Sequence, residues 1–309
     1  MDPPDHTRIR RMLTREFTVK RIQALRPRLV EIVTEQLDEM GQAGQPVDLM
    51  KQFALPIASL AVRELLGVPC EERAEFQRRS EIMLDTSLPV ERRMENYHET
   101  LSYIGTLIPR YRENPGDGIL GRLVREHAGD ITDQELIGTS CFLLVGGHDA
   151  TAHALGLGTL LLLQYPDQQA ALWEDEGDVL RTAVEEILRY QSLIHTGTPR
   201  WATRDLVLSG QMIKAGDMII PSLASANHDQ DFLQGVPGFD VKRPVSRHLA
   251  FGHGIHQCLG QQLARTVLGI SFPALLDRFP SLRLAIPERD LRYRTQGFVG
   301  GVVYLPVAW

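Results

Sequence analysis

The chain has 309 residues, a formal net charge of −6 and 43% hydrophobic residues. An acidic chain gives no electrostatic reason to bind nucleic acid, and no run of about 18 apolar residues predicts a membrane span. Its three cysteines, Cys70, Cys141 and Cys258, are scattered, so they predict no disulfide framework and suit a reducing cytoplasm. Without a linker, a repeat or a signal peptide, we expect one domain over residues 1–309.

The hydrophobic pattern predicts a mainly α fold with small β sheets to one side. Apolar residues at helical spacing predict helices over 4–13, 19–41, 50–66, 70–85, 90–112, 118–127, 132–165, 167–174, 177–191 and 258–277. Short apolar segments between glycine turns predict strands at 206–208, 212–213, 218–221, 282–285 and 302–305.

The helix predicted over 132–165 has an unusual centre, Gly146-Gly147-His148-Asp149-Ala150-Thr151. Each of two glycines weakens a helix by roughly 1 kcal/mol relative to alanine. An acid inside an apolar helix is costly unless it is hydrogen-bonded or functional. The segment therefore predicts a groove that admits a ligand, or alternatively a helix-packing glycine pair beside a solvated Asp149.

The segment Phe251–Gly260 reads FGHGIHQCLG and places Cys258 between a glycine-rich loop and a predicted helix. A helix N-terminus favours the thiolate, which is the metal-binding form of cysteine, and a loop of glycines can approach a flat ligand closely. Three interpretations stay open: a buried structural cysteine, haem ligation by one thiolate, or a zinc site. The zinc site would use His253, His256 and Cys258 but lacks a fourth ligand.

FGHGIHQCLG resembles the haem-binding loop of the cytochrome P450 monooxygenases, FxxGxxxCxG, a family that ligates haem through cysteine. Four other segments resemble motifs of the family and follow one another in the family's order. Residues 2–10 resemble its DPPEHTRLR segment, residues 146–150 its (A/G)Gx(D/E)T motif and residues 186–189 its ExxR motif, and residues 199–202 lie where it has a haem-binding arginine. The resemblance covers the whole chain and implies the P450 fold of the bacterial soluble type. The family's N-terminal quarter is absent, so the remaining strands should show an unpaired edge.

The resemblance also implies roles for individual residues. Cys258 would be the proximal ligand of the iron of haem b, and Phe251 would pack beside the sulfur. Glu186 and Arg189 would form a structural pair. The residues implied to bind the cofactor are His6, Arg10, Arg200, Phe251, Gly252, His256, Cys258 and Gly260. Those implied to line the substrate pocket, where ordinary loop packing is the alternative, are Val145, Gly146, Leu193, Ile194, Thr196, Phe298 and Val299.

Two departures from the family pattern concern residues of the site. Asp149 matches the acid that delivers protons, but the threonine that should follow is Ala150, and Thr151 lies about 100° further round the helix. We expect a substrate hydroxyl or an ordered water to replace the threonine hydroxyl that is missing at this catalytic position. Otherwise we expect oxygen activation to be poorly coupled to oxidation of the substrate.

The second departure is Gly238, which stands where the family usually has arginine. The pair of Glu186 and Arg189 would then lose a partner unless Arg243 or Lys242 replaces it, and a buried charge without its partner is costly.

The function implied by the resemblance is insertion of one oxygen atom of O2 into a small secondary-metabolite or lipophilic substrate. The chain has no flavin or nicotinamide fingerprint, so electrons of NAD(P)H would arrive through ferredoxin reductase and ferredoxin. We expect these partners to dock on a basic face containing Arg8, Arg11, Arg247 and Arg265. The alternative function is that of a truncated or degenerate haem-binding relative without productive turnover, acting as an accessory protein.

Overall fold

The computed structural model describes residues 1–68, 75, 78–79, 82, 88–127, 129–173, 178–194, 197–233, 237–244, 248–294 and 299–309. Its α-helices are α1 (Asp5–Glu16), α2 (Val19–Gln42), α3 (Leu55–Leu66), α4 (Val90–Glu113), α5 (Ile119–Glu126), α6 (Asp133–Gln164), α7 (Pro166–Ala171), α8 (Asp178–Gln191), α9 (Leu223–Asn227) and α10 (Gln261–Arg278). Its strands are β1 (Val47–Asp48), β2 (Arg200–Trp201), β3 (Leu206–Leu208), β4 (Gln211–Ile213), β5 (Met218–Ile219), β6 (Arg283–Leu284), β7 (Arg292–Arg294), β8 (Gly301–Tyr304) and β9 (Pro306–Ala308).

The strands form small antiparallel sheets, with the order β1-β9-β6 in one and the pairs β2-β5, β3-β4 and β7-β8 in the others. The structure confirms the expected mainly α architecture with small sheets.

Helix α6 runs through the middle of the molecule and packs against α3, α4 and α10. It begins at a capping box: the Thr132 hydroxyl accepts the Glu135 N–H at 3.2 Å, and the Glu135 carboxylate accepts the Thr132 N–H at 2.9 Å. Gly158 lets the ring of Phe272 from α10 come so close that no side chain would fit between them. Apolar residues surround most of the helix, so the buried core is built around it.

The predicted helices agree with the observed ones within a few residues, apart from three cases. The helix predicted over 50–66 begins as a π-helical turn, Met50–Ala54. Most of the helix predicted over 70–85, including Cys70, lies outside the described residues. The helix predicted from Cys258 begins at Gln261, so the cysteine precedes it.

The predicted strands are present with shifted ends, whereas β1, β2, β7 and β9 were not predicted. These four strands have two or three residues each. Their pairing with distant parts of the chain or with a partner strand defines them, rather than a local sequence pattern.

The strands β2 to β5 form one extended hairpin over residues 200–219, and within the described residues β2 and β5 pair only with each other. Its cross-strand neighbours Trp201 and Met218 are 62% and 57% exposed. The cross-strand pair Val207 and Met212 of β3 and β4 is also exposed.

Candidate haem-thiolate site

The loop before α10 is closed by backbone hydrogen bonds. The Cys258 N–H donates to the Phe251 carbonyl at 2.8 Å, and the Gln257 N–H donates to the Gly254 carbonyl at 3.0 Å. Gly252 (φ +69°) and Gly254 (φ +82°) adopt the left-handed conformation that favours glycine. The two glycines therefore let the chain turn back sharply and present Cys258 just before α10.

The Cys258 side chain is exposed, which contradicts the interpretation of a buried structural cysteine. Desolvation nevertheless raises the pKa of its thiol. The Gly260 and Gln261 N–H groups and the charges of Arg10 and Arg265 lower this pKa and so reduce the rise. Donors and cations around the thiol favour the thiolate, as a metal-binding cysteine requires.

Helix α6 has one open face in the middle of its length. The exposed or half-buried residues recur at spacings of three and four: Phe142, Val145, Gly146, Asp149 and Ala150. Phe142 is 68% exposed, and a Cβ added at Gly146 would meet nothing within 4 Å. An apolar strip on an otherwise buried helix is suited to an apolar ligand, and the groove expected at Gly146 remains a prediction.

Asp149 at the edge of this face is held by two side chains. Arg294 Nη1 of β7 lies 2.8 and 2.7 Å from its two oxygens, and His153 Nε2 lies 3.3 Å from Oδ1. Burial raises the pKa of Asp149, but the hydrogen bonds and charges of His153 and Arg294 more than offset this and hold it below its usual value. Asp149 is therefore a paired carboxylate, and the alternative of a solvated Asp149 is wrong.

Sequence analysis missed Arg294 and His153 as partners of Asp149. The general signal was available, since an acid within an apolar helix requires a partner. His153 lies one helical turn after Asp149 and could have been proposed. No local pattern points to Arg294, which is 145 residues away along the chain.

Three of the residues implied to bind haem carboxylates lie together beside the cysteine loop. The rings of His6 and His256 are 4.1 Å apart, and Arg10 Nη2 donates to the Gln257 carbonyl at 2.5 Å. Asp2 Oδ1 lies 3.1 Å from His256 Nε2. Helix α1 is thus packed against a loop about 250 residues later, and it brings basic groups to the thiol.

Arg200 is exposed in β2, and its hydrogen bond within the described residues is to the Thr198 carbonyl at 2.6 Å. The described contacts do not join it to the group around His256. Its role at a haem carboxylate remains a prediction.

The residues implied to line a substrate pocket come from two segments that meet. Ile194 forms a β-bridge with Val299, and the Gly300 N–H donates to the Leu193 carbonyl at 2.7 Å. Val145 and Gly146 lie on the open face of α6, whereas Thr196 and Phe298 lie outside the described residues.

Arg243, one of the two replacements considered from the sequence, supplies the partner that the pair of Glu186 and Arg189 would otherwise lose. Arg189 binds Glu186 through two hydrogen bonds of 2.7 and 2.8 Å, and Arg243 Nε lies 3.2 Å from both Glu186 oxygens. The Gly238 carbonyl accepts from Arg189 at 2.9 Å and from Arg243 at 3.1 Å. Gly238 has a φ of +95°, a conformation that disfavours a side chain, so this position contributes its carbonyl instead.

Two of the four arginines expected in a basic docking face are already paired within the chain. Arg8 binds Glu135 and the Asp130 carbonyl, and Arg265 binds Glu185. Arg247 lies outside the described residues, and Arg11 is exposed. The basic docking face expected from these arginines remains a prediction, and any contribution of Arg8 and Arg265 to it would be made from within these ion pairs.

Within the described ranges, no three His, Cys, Asp or Glu side chains converge as metal ligands. This finding disfavours the zinc interpretation of the loop. In the same part of the chain, none of the helices is long and apolar enough to cross a membrane.

Comparison with known proteins gives one consistent family. The family model for cytochrome P450 matches residues 90–299. The cytochrome P450 FAS1 of Rhodococcoides fascians is 43% identical over the whole chain, which spans 77% of that relative. The crystal structure of the ligand-free wild-type form of CYP105P1 aligns with a TM-score of 0.93 at 42% identity, covering 100% of this chain and 80% of that one. P450 StaH from glycopeptide antibiotic A47934 biosynthesis gives a TM-score of 0.93 at 41% identity, covering 100% and 80%.

The fold and the matched family define a haem-thiolate monooxygenase. The chain belongs to the cytochrome P450 family, and its relatives include bacterial enzymes of antibiotic biosynthesis. The residues present fit the haem that the family carries. They offer one accessible thiol, basic groups for two carboxylates and an open apolar helix face.

Replacing Arg243 with Gln should lower the free energy of unfolding by about 3 kcal/mol, because it leaves the buried Glu186 carboxylate short of a cation. Urea denaturation at fixed haem occupancy measures the change. Arg289→Gln is the matched control, since Arg289 is 85% exposed and its contact with Asp290 is 4.0 Å long. Equal stability of the two variants would contradict a structural role for Arg243.

Proposed function

We propose that Cys258 ligates the iron of haem b as a thiolate and that the protein inserts one oxygen atom of O2 into a small lipophilic substrate. The observation that carries the proposal is the combination of an accessible Cys258, which has backbone N–H donors beside its thiol, with an open apolar face on α6. When bound, a thiolate-ligated haem supplies the oxidising chemistry and favours O–O cleavage.

The chain's own residues would hold the cofactor from its edges and from the thiolate side. The N–H groups of Gly260 and Gln261 and the charge of Arg10 favour the thiolate form of Cys258. Gly252 and Gly260 leave open space for the macrocycle, since an added Cβ would meet nothing within 4 Å at either. The basic groups for the two haem carboxylates are His6, Arg10, Arg200 and His256.

The proton-handling residues differ from the usual acid and alcohol. Asp149 is ionised and oriented by Arg294, with the His153 ring beside both at 3.3 and 3.1 Å. Ala150 has no hydroxyl, and Thr151 lies on the next face of the helix. A water or a substrate hydroxyl next to Ala150 would therefore carry the proton that the missing hydroxyl would otherwise carry.

The substrate would lie against Val145 and Gly146 on one side and against the segments joined by the Ile194–Val299 bridge on the other, with Thr196 and Phe298 completing the pocket. Relatives named for antibiotic biosynthesis support a secondary metabolite as the substrate class. Electrons from NAD(P)H would arrive through ferredoxin reductase and ferredoxin, docking near Arg11 on the thiolate side. This chemistry would take place in the cytoplasm.

The test is incorporation of oxygen from 18O2 into lipophilic probe compounds. The haem-loaded protein receives electrons from NADPH through a bacterial ferredoxin and its reductase, and mass spectrometry detects the product. We expect products that carry one 18O atom and that are lost in Cys258→Ala. If the protein binds haem and accepts electrons but incorporates 18O into none of a broad panel of probe compounds, the result would instead support the accessory-protein alternative. Two features favour that alternative: the missing hydroxyl at Ala150 and the ion pair that holds the Asp149 carboxylate.

Restoring the hydroxyl in Ala150→Thr should lower the hydrogen peroxide released per NADPH by about fivefold. One hydrogen bond in the right place is worth about 1 kcal/mol, and about 1.4 kcal/mol corresponds to a factor of ten in rate. Ala150→Val, which adds the same bulk without the hydroxyl, is the control. If both variants release as much peroxide as the unchanged protein, the missing hydroxyl does not limit coupling.

A further inference from the structure

A compact charged cluster lies next to the cysteine loop on the side of α8 and α10. The guanidinium carbon of Arg265 lies 4.5 Å from the centroid of the Phe251 ring, a cation–π distance. Its Nε and Nη2 donate to the two carboxylate oxygens of Glu185 at 2.5 and 2.9 Å. A two-point bond of this kind fixes the plane of the guanidinium as well as its distance.

His248 completes the cluster. The Ala250 N–H donates to His248 Nδ1 at 3.2 Å, and His248 Nε2 lies 2.9 Å from a Glu185 carboxylate oxygen. The guanidinium of the cluster is that of Arg265, and its carboxylate is that of Glu185.

The cation of this pair is the member that contacts the ring of the cysteine loop. Arg265 is packed between Phe251 and Glu185, and the Phe251 carbonyl accepts the Cys258 N–H. The charge of Arg265 also helps to lower the pKa of the Cys258 thiol against desolvation. The ion pair therefore directs its positive end towards the sulfur.

Fixed charges beside a metal ligand influence the metal, because ligand orientation and local charge tune its reduction potential. One-electron reduction of haem iron from ferric to ferrous adds one negative charge to the site, and the electron comes from an external donor. A nearby cation stabilises that added charge, and a nearby anion opposes it. Arginine is suited to the task because it stays charged and stacks on aromatic rings.

We propose that Arg265 is a positioning residue that holds Phe251 over the cysteine loop and raises the reduction potential of the haem bound by Cys258, while Glu185 moderates this effect. The inference rests on the proposed function, because it requires a haem at Cys258. It assigns Arg265 and Glu185 to tuning of the cofactor rather than to docking of a redox partner.

The test is the midpoint potential of the haem-loaded protein, measured by titration with dithionite and mediator dyes in Arg265→Gln, Glu185→Gln and Arg278→Gln. We expect a lower potential in Arg265→Gln and a higher one in Glu185→Gln. Arg278 is the matched control on the same helix: it lies 5.7 Å from the ring of Phe279 and pairs with Asp38 at 3.5 Å, so its loss should leave the potential unchanged.

The opposite signs distinguish electrostatic tuning from loss of packing, which would shift both variants in the same direction. Shifts of the same sign, or potentials equal to that of the control, would overturn the inference while leaving the haem site intact. Arg265→Lys keeps the charge without the planar fork and should shift the potential less than Arg265→Gln. If Arg265→Gln fails to bind haem, the test is the potential of Glu185→Gln, which should be higher than that of the Arg278→Gln control. A protein in which no variant binds haem, the unchanged chain included, would overturn the proposed function itself.

Discussion

Burial of the Arg189 guanidinium is the constraint on which the thiolate side of the molecule depends. Arg189 is fully buried, and its described partners come from its own helix and from two later segments of the chain. It donates to Glu186 within α8, to the carbonyl of Asn227 in α9 and to the carbonyl of Gly238. The Asn227 side chain in turn accepts the Leu249 N–H at 2.6 Å. One buried cation thus positions the chain that leads into the cysteine loop, because leaving any of these groups unpaired would be costly.

The two sides of the site carry separate ion clusters with different consequences. Beside the thiolate, Arg265 and Glu185 join the loop to α8 and place a permanent charge near Cys258. On α6, Arg294 fixes the carboxylate of Asp149 at the edge of an open apolar face. In the proposed function, the first cluster would influence the iron ligand and the second the supply of protons. The apolar strip of α6 would contact the flat cofactor, and the basic groups of α1 would bind its carboxylates.

The cysteine loop could be predicted because its chemistry is local: glycines at positive φ, one thiol and a helix that follows. The long helices were predicted because their apolar periodicity extends over many residues. Arg243 was named only as an option, since its use depends on the backbone conformation of Gly238. Arg294 was missed because its role depends on a hairpin meeting α6 across 145 residues of sequence. Contacts of this kind depend on tertiary packing, and no local pattern encodes them.

The central claim is that Cys258 holds a haem iron as a thiolate within this chain. The carbon monoxide difference spectrum of the dithionite-reduced protein tests it most directly, with Cys141→Ala as a control for the buried cysteine elsewhere. The account predicts the red-shifted Soret band of a thiolate–carbon monoxide complex in the unchanged protein and in Cys141→Ala, and its loss in Cys258→Ala. A band at the shorter wavelength of a neutral ligand in the unchanged protein, or no haem spectrum at all, would contradict it.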